Sequence, residues 1–175
     1  PPAAPDYRQY LTAFADDVKS KGGTPVILTP VARRSFYQGQ AQADFAEYSS
    51  VARVVARETG TPLIDLEALS RAWLSEAGPE QAKAYFLHYQ PGQAAAFPKG
   101  IDDDTHFSEL GARHVANLIA GALARLALPV SGAVRGDRPA LSRETPPEQR
   151  APPSDSADPS RLASETTWLR SSSTV

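Results

Sequence analysis

TPVILTP, residues 24–30, holds three consecutive aliphatic side chains at 26–28 between two prolines. A short, continuous apolar run bounded by turn residues is typical of a strand buried on both faces, as in a parallel sheet. The pattern recurs in TPLIDLEAL, residues 61–69, where the aliphatic pair at 63–64 predicts a second strand of the same kind. Two such strands are expected to form part of one open sheet.

Helical periodicity surrounds both predicted strands. Upstream, apolar residues at spacings of four, three and four predict a helix that turns one face inwards: Tyr7, Leu11, Phe14 and Val18. Further helices are predicted over 41–59, from about 66 onwards, and over an apolar stripe at 115–126. Helix, strand, helix, strand, helix is the repeating unit of an open α/β sandwich with right-handed crossovers.

The alternation of helix and strand patterns stops near residue 128. We therefore expect one folded domain over 6–128. Residues 129–175 contain seven prolines and nine serines with few large apolar groups. Because such a composition buries too little apolar surface to offset the entropy of ordering, residues 129–175 are predicted to be a disordered tail.

Composition excludes several classes of partner. The net charge is −2, from 18 basic and 20 acidic residues, and the basic residues are scattered rather than clustered. Nucleic acid is therefore not an expected partner. No apolar run reaches the roughly 20 residues that a membrane span needs, so no membrane partner is expected. The chain has no cysteine, which excludes disulfides and thiolate metal ligands.

In open parallel sheets, ligands bind beyond the carboxyl ends of the strands. Three segments are expected to emerge there: TPVARRSF after the first strand, DLEAL after the second, and DDDTHF before the last helix. Residues 85–107, rich in Gly, Pro and Gln, are expected to form the longest loop.

Asp103 and His106 form the pair with a catalytic pattern. A neutral imidazole accepts a proton near neutral pH, and a carboxylate on its other nitrogen fixes its tautomer. The two residues are three positions apart in a loop, where a tight turn can bring their side chains together. A D-x-x-H spacing is common, however, and a loop acid beside a solvent-facing histidine remains the alternative.

Two other interpretations concern the same stretch. Asp102, Asp103 and Asp104 supply oxygen ligands for a cation, but the acidic residue at the twelfth position of an EF-hand loop is absent. Ser108 is a good N-cap, and acids favour a helix N-terminus, so Asp102 and Asp104 are assigned to that electrostatic role.

Two further histidines carry weaker signals. His88 is predicted to lie on the long loop with an ordinary loop role, and substrate contact is the alternative. His114 falls within the last helix pattern and is predicted to be an exposed helix residue.

Three stretches resemble, in order and spacing, the C-terminal half of rhamnogalacturonan acetylesterase-like SGNH (GDSL-type) hydrolases. They are PVILTPVARRSF (25–36), GTPLIDL (60–66) and DDTHFSELGARHVANLIAGAL (103–123), and the resemblance covers 6–128. It implies a flavodoxin-like three-layer α/β/α fold whose N-terminal strands are missing. It also implies a metal-free and cofactor-free serine esterase that removes acetyl groups from a pectic polysaccharide or oligosaccharide.

The resemblance implies residue roles as well. His106 would be the general base and Asp103 the acid that orients it. Arg33 and Arg34 would contact uronate carboxylates of the substrate, which suits planar guanidinium groups. Ion pairs that hold their own loop are the alternative for these two arginines.

The chain departs from the family at the nucleophile. No Gly-Asp-Ser motif occurs in the 175 residues, nor do the family's glycine and asparagine blocks that complete the oxyanion hole. We therefore expect a fragment that is nearly inactive alone, with a missing N-terminal segment as a candidate partner. The alternatives are an SGNH esterase for another acyl ester, and a non-catalytic carbohydrate-binding or partner-binding remnant. Family resemblance also implies secretion or a periplasmic location for the full-length form.

Overall fold

The computed structural model describes residues 4–135 and confirms an α/β fold. Most of the predicted tail, from residue 136 onwards, lies outside these residues, while its first part contains a short 3-10 helix, Pro129–Ala133. No helix in the described part of the chain is long and apolar enough to span a membrane. In chain order the helices and strands are α1 (Ala4–Ser20), β1 (Ile27–Leu28), β2 (Phe36–Tyr37), β3 (Gln40–Ala41), α2 (Ala46–Thr59), β4 (Leu63–Ile64), α3 (Leu66–Ala82), β5 (Phe86–Tyr89), β6 (Ile101–Phe107) and α4 (Glu109–Leu123).

The two apolar runs form the predicted parallel pair. β1 and β4 lie side by side, with Ile27 opposite Leu63 and Leu28 opposite Ile64. Successive side chains of a strand point to opposite faces, so this pair has two apolar faces to cover. The sequence prediction of parallel strands buried on both faces is confirmed.

Helices cover both faces of the pair, which makes three layers. On one face Ile27 packs with Val55 of α2 and Leu11 of α1. On the other, Ile64 packs with Ala122 and neighbouring apolar residues of α4. This arrangement is the α/β/α sandwich that the resemblance implies.

The inward face of α1 differs from the predicted one. Leu11 packs towards the sheet, Tyr7 contacts the ring of Tyr48 edge-on, and Ala15 is buried, whereas Phe14 is 67% exposed. Val18 is also exposed, so the prediction that Phe14 and Val18 point inwards is wrong. The reason is that α1 packs on α2 along a narrow i, i+4, i+8 line, and residues three positions further round the helix fall outside it.

Residues 85–107 are not one long loop. β5 and β6 pair antiparallel, with His88 opposite Asp102 and Tyr89 opposite Ile101. Sequence reasoning missed this hairpin because aspartate is depleted in strands and β6 carries three in succession. Its strand is mostly solvent-facing, so it has no clean apolar alternation to detect.

A second hairpin precedes α2. β2 and β3 pair antiparallel around a turn in which Gln38 and Gly39 both have positive φ. Two successive residues of this kind match the turn that best fits a two-residue hairpin. As a result α2 begins at Ala46, five residues after the predicted start. It ends at Thr59, and the residue that caps it, Gly60, has the left-handed conformation.

Candidate acid–histidine site

The β5–β6 ladder contains a large bulge at the predicted catalytic stretch. Phe86 pairs with Phe107, but the next residue of β5, Leu87, pairs with Asp103. Residues 104–106 are therefore extra on β6 and bulge out of the ladder. Bulges of this kind redirect side chains, and they are frequent next to active sites.

Asp103 and His106 are brought together by this bulge. The Oδ2 atom of Asp103 lies 2.7 Å from Nδ1 of His106. Because a carboxylate can only accept, Nδ1 carries the hydrogen and the lone pair of the neutral ring is on Nε2. The imidazole is 73% exposed. Its Nε2 has no hydrogen-bond partner in residues 4–135, so this nitrogen is free to accept a proton from a reacting group.

The backbone of the bulge also stabilises the Asp103 carboxylate. Its Oδ1 accepts hydrogen bonds from the backbone N–H groups of His106 (2.9 Å) and Thr105 (2.6 Å). The backbone N–H of His106, followed by its ring and the N–H of Thr105, lowers the pKa of Asp103 from 3.8 to about 2. The orienting acid is therefore ionised across the pH range in which an imidazole titrates.

Arg34 connects the bulge to the kink of α3. Its backbone N–H donates to the carbonyl of Asp104 (2.9 Å), and its Nη1 donates to Asp104 Oδ1 (2.6 Å). Its Nε and Nη2 both donate to the carbonyl of Pro79, which follows the non-helical Gly78 inside α3. The Arg34 side chain is only 13% exposed. Arg34 thus makes the loop-holding ion pair that was the alternative to substrate contact.

His88 lies between two aspartates on the neighbouring strand. Its Nε2 is 2.8 Å from Asp104 Oδ1, and its Nδ1 contacts Asp102 Oδ1. The assignment of Asp102 and Asp104 to the electrostatics of the helix start is therefore wrong, because both carboxylates point at His88. His88 is a partly buried residue that joins β5 to two aspartates of β6, rather than a free loop histidine.

The start of α4 fixes the far end of the bulge. Ser108 is the N-cap, as predicted: its Oγ accepts from the backbone N–H of Gly111 (3.2 Å) and donates to the carbonyl of Ala84 (2.7 Å). With both functions of its hydroxyl occupied, Ser108 is held as a structural residue. A Cβ on Gly111 would meet the carbonyl oxygen of Tyr85 at 1.9 Å, so only glycine permits this approach of α4.

Arg33 differs from Arg34. Its side chain is half-buried and makes no ion pair with any carboxylate in residues 4–135. Both arginines line a cleft of about 450 Å³, which we call the arginine cleft; its other lining residues are Ser35, Phe36, Asp44, Pro79 and Asp104. The unpaired guanidinium therefore faces a cleft bordered by the bulge that carries His106.

The chain is similar to known proteins in sequence and in fold. The chain is 40% identical over 125 residues to rhamnogalacturonan acetylesterase RhgT of Bacillus subtilis, covering 71% of this chain and 54% of RhgT. It is 33% identical over 132 residues to a second B. subtilis protein, named probable rhamnogalacturonan acetylesterase YesY, covering 75% of this chain and 57% of YesY. Over these matched residues the comparisons support a rhamnogalacturonan acetylesterase-like family.

The chain spans about half the length of these curated relatives. A crystal structure of the B. subtilis protein YxiM shares the fold, with a TM-score of 0.59 and 23% identity, over 73% of this chain and 33% of YxiM. No protein-family model matches the sequence.

Two kinds of site element are absent from the described residues. Within residues 4–135 no serine hydroxyl is hydrogen-bonded to His106, in keeping with the absence of a Gly-Asp-Ser motif from the sequence. Among the same residues, no group of three or more His, Asp or Glu side chains is arranged to hold a metal ion.

Sequence reasoning missed the contacts that hold the acid–histidine pair. Asp104 is bonded to both His88 and Arg34. The only sequence signal for these contacts was the D-D-D run, in which the three acids could not be told apart. His114 was also misjudged as exposed: it is half-buried, and its ring stacks on Trp73 with centroids 5.0 Å apart. Burial lowers the pKa of His114.

Proposed function

We propose that this chain supplies the acid–histidine half of a carbohydrate acetylesterase that removes acetyl groups from pectic polysaccharide. One observation carries the proposal: the 2.7 Å contact between Asp103 Oδ2 and His106 Nδ1, which leaves Nε2 exposed. The names of the relatives RhgT and YesY support acetyl ester hydrolysis and a galacturonate-containing substrate.

In the proposed reaction His106 moves two protons. Its Nε2 takes the proton of a serine hydroxyl as the serine oxygen attacks the acetyl carbonyl. The protonated ring then gives that proton to the departing sugar oxygen, which leaves an acetyl-serine. Water, deprotonated by Nε2, attacks this ester. The serine oxygen departs with the proton from Nε2, and the released acetic acid ionises to acetate in solution. Asp103 keeps its negative charge throughout and stabilises the imidazolium.

The serine is proposed to come from a segment outside these 175 residues. Loss of a triad's nucleophile lowers kcat by about a millionfold, so this chain alone should show almost no turnover. A segment carrying a Gly-Asp-Ser block, fused or added in trans, would complete the site.

A chimera tests the proposal directly. The part of RhgT that this chain does not match is joined to the full 175-residue chain, and release of acetate from acetylated rhamnogalacturonan is measured. We expect hydrolysis in the chimera, its loss on His106→Ala, and a fall of roughly 10⁴ on Asp103→Asn, because the amide favours the wrong tautomer.

The exposed Lys21→Gln change, directly after α1, serves as the control and should leave the rate unchanged. A chimera that is folded and still hydrolyses acetyl esters after His106→Ala would disprove the assignment of the base. A folded chimera that binds the glycan without hydrolysing it would favour the non-catalytic alternative. Hydrolysis of longer acyl esters in preference to acetyl esters would favour the other-acyl alternative.

Secretion or a periplasmic location of the full-length form is part of the same proposal. A polysaccharide substrate is too large to cross a bilayer, so its deacetylase has to act outside the cytoplasmic membrane. Fractionation of cells that produce the full-length protein, followed by immunoblotting, tests this location.

A further inference from the structure

We propose that the arginine cleft and a second, lysine-bearing cleft form one track for a carboxylate-bearing glycan, with Lys99 as an anion contact beyond Arg33. The proposal deepens the proposed function, because it names where an acidic polysaccharide would lie relative to His106. The second cleft, which we call the lysine cleft, has a volume of about 560 Å³ and is lined by Lys83, His88, Tyr89, Gln90, Pro91, Lys99, Gly100, Ile101 and Asp102.

The two clefts share a wall. His88 lines the lysine cleft, Asp104 lines the arginine cleft, and the two side chains are joined by the 2.8 Å contact described above. His106 follows Asp104 by two residues, so their Cα atoms are at most about 7 Å apart. The backbone of His106 therefore lies close to the boundary between the clefts.

Each cleft offers one cation that has no ion pair in residues 4–135. In the arginine cleft, Arg34 is committed to Asp104, and Arg33 is unpaired. In the lysine cleft, Lys83 pairs with Glu80 at 2.8 Å, and Lys99 is unpaired.

The aspartates that line the two clefts affect a bound anion differently. In the lysine cleft, the carboxylate of Asp102 is engaged by His88, which reduces its repulsion of an anion. Asp44 lines the arginine cleft, where it would bias a bound carboxylate towards the arginines. Arg33 and Lys99 are thus two separated cations suited to two carboxylates on one extended chain.

The segment between β5 and β6, which carries Lys99, is held in place by its own contacts. The segment after β5 is closed by backbone hydrogen bonds from Gly92 to Pro98 (3.1 Å) and from Gly100 to Phe97 (2.8 Å). The rings of Tyr89 and Phe97 stack, with centroids 6.1 Å apart. A preformed wall lowers the entropy lost on binding.

Contact with solvent sets the expected strength, since Lys99 is exposed and Arg33 is only half-buried. Exposed ion pairs contribute roughly 0.2–1 kcal/mol and are screened by salt. Affinity should therefore be modest, depend on several carboxylates along one glycan, and fall as salt is raised.

The test measures binding of an oligogalacturonide to the full 175-residue chain by isothermal titration calorimetry. Lys99→Gln and Arg33→Gln should each weaken binding by roughly two- to fivefold, the range of a single exposed ion pair. The double variant should show the product of the two effects, as independent sites on one ligand do. Lys99→Arg keeps the charge and should keep the affinity. Lys21→Gln, an equal change of charge directly after α1, should bind like the wild type.

A carboxyl-reduced oligosaccharide should bind the wild type more weakly, and no longer distinguish Lys99→Gln from it. If Lys99→Gln binds the acidic glycan as well as the wild type, the lysine cleft is not part of the track. Equal binding of acidic and reduced glycans, or no binding of either, also overturns the proposal. Failure of the proposed function is seen separately, as a folded chimera that does not hydrolyse a small uncharged acetyl ester.

Discussion

At the scale of single residues, the site depends on Asp103 receiving three hydrogen bonds from its own turn. Two come from backbone N–H groups and one from the ring of His106. The acid is therefore held by the bulge whether or not the imidazole is present. This separates the orientation of the acid from the chemistry of the base.

A titration makes that separation measurable. In the wild type, the side-chain carboxyl carbon of Asp103, followed by NMR, should report a pKa of about 2. In His106→Ala the pKa should rise only part of the way towards 3.8, because its largest cause, the backbone N–H of residue 106, survives the change. A return to 3.8 in that variant would show that the ring, and not the backbone, holds the acid.

The lowered pKa of Asp103 also determines how the stability of the fold changes with pH. A carboxyl whose pKa is lower in the folded state stabilises the fold fully above its ordinary value of 3.8. Its contribution fades as the pH falls from about 4 to about 2. Asp103→Asn should therefore flatten the pH dependence of the free energy of unfolding in that window. Near neutral pH, the slope of the free energy of unfolding against pH should be unchanged.

At the scale of elements, the bulge is held from two sides. Arg34 reaches Asp104 from the loop after β1, and His88 reaches it from β5. Directly after the bulge, Ser108 caps α4 and bonds the carbonyl of Ala84. The contact of α4 with the turn before β5 rests on one glycine, Gly111.

Gly111→Ala should be strongly destabilising for that reason. Its Cβ would lie 1.9 Å from the carbonyl oxygen of Tyr85, a backbone atom that cannot move without displacing the N-cap. We expect a loss of about 1–3 kcal/mol or more in the free energy of unfolding, measured with urea.

Gly132→Ala is the matched control. A Cβ there meets nothing within 4 Å, so the stability should change by less than about 0.5 kcal/mol. Equal stability of the two variants would contradict the close approach of α4.

The elements also show what a sequence can and cannot reveal. β1 and β4 were predictable because each is a continuous apolar run, and α4 because its stripe is strongly periodic. The β5–β6 hairpin was not, since its stability depends on polar pairs such as His88 with Asp102, which carry no periodic signal. The Asp103–His106 pair was predictable from spacing and resemblance, whereas the clamp by Arg34 joins residues 70 positions apart, a contact that only the fold creates.

At the scale of the whole molecule, apolar surface is distributed unevenly. α1 shows an exposed line of three large apolar side chains: Tyr10, Phe14 and Val18. In the described part of the chain β1 pairs with β4 alone, so the parallel sheet has two strands. A stability comparison can determine which side of α1 contributes to the fold.

Leu11→Ala and Phe14→Ala make the matched pair. Leu11 packs against the cluster around Ile27, so its truncation should cost on the order of 1–2 kcal/mol, below the roughly 2–5 kcal/mol of fully buried sites. Phe14 is 67% exposed, and its truncation should change the free energy of unfolding by less than about 0.5 kcal/mol. A large loss for Phe14→Ala in thermal or urea unfolding would mean that its side chain is covered in solution.

The containment of Asp103 and His106 within four consecutive residues has a consequence for protein engineering. Most catalytic relays join side chains that distant parts of a chain bring together, so they are lost when that chain is rewired. Here residues 103–106 form a closed turn whose internal hydrogen bonds do not depend on the order in which the surrounding elements are connected. Circular permutants opened at the exposed turn of the β2–β3 hairpin should therefore retain the pair, which makes the turn a portable module for split-enzyme reporters.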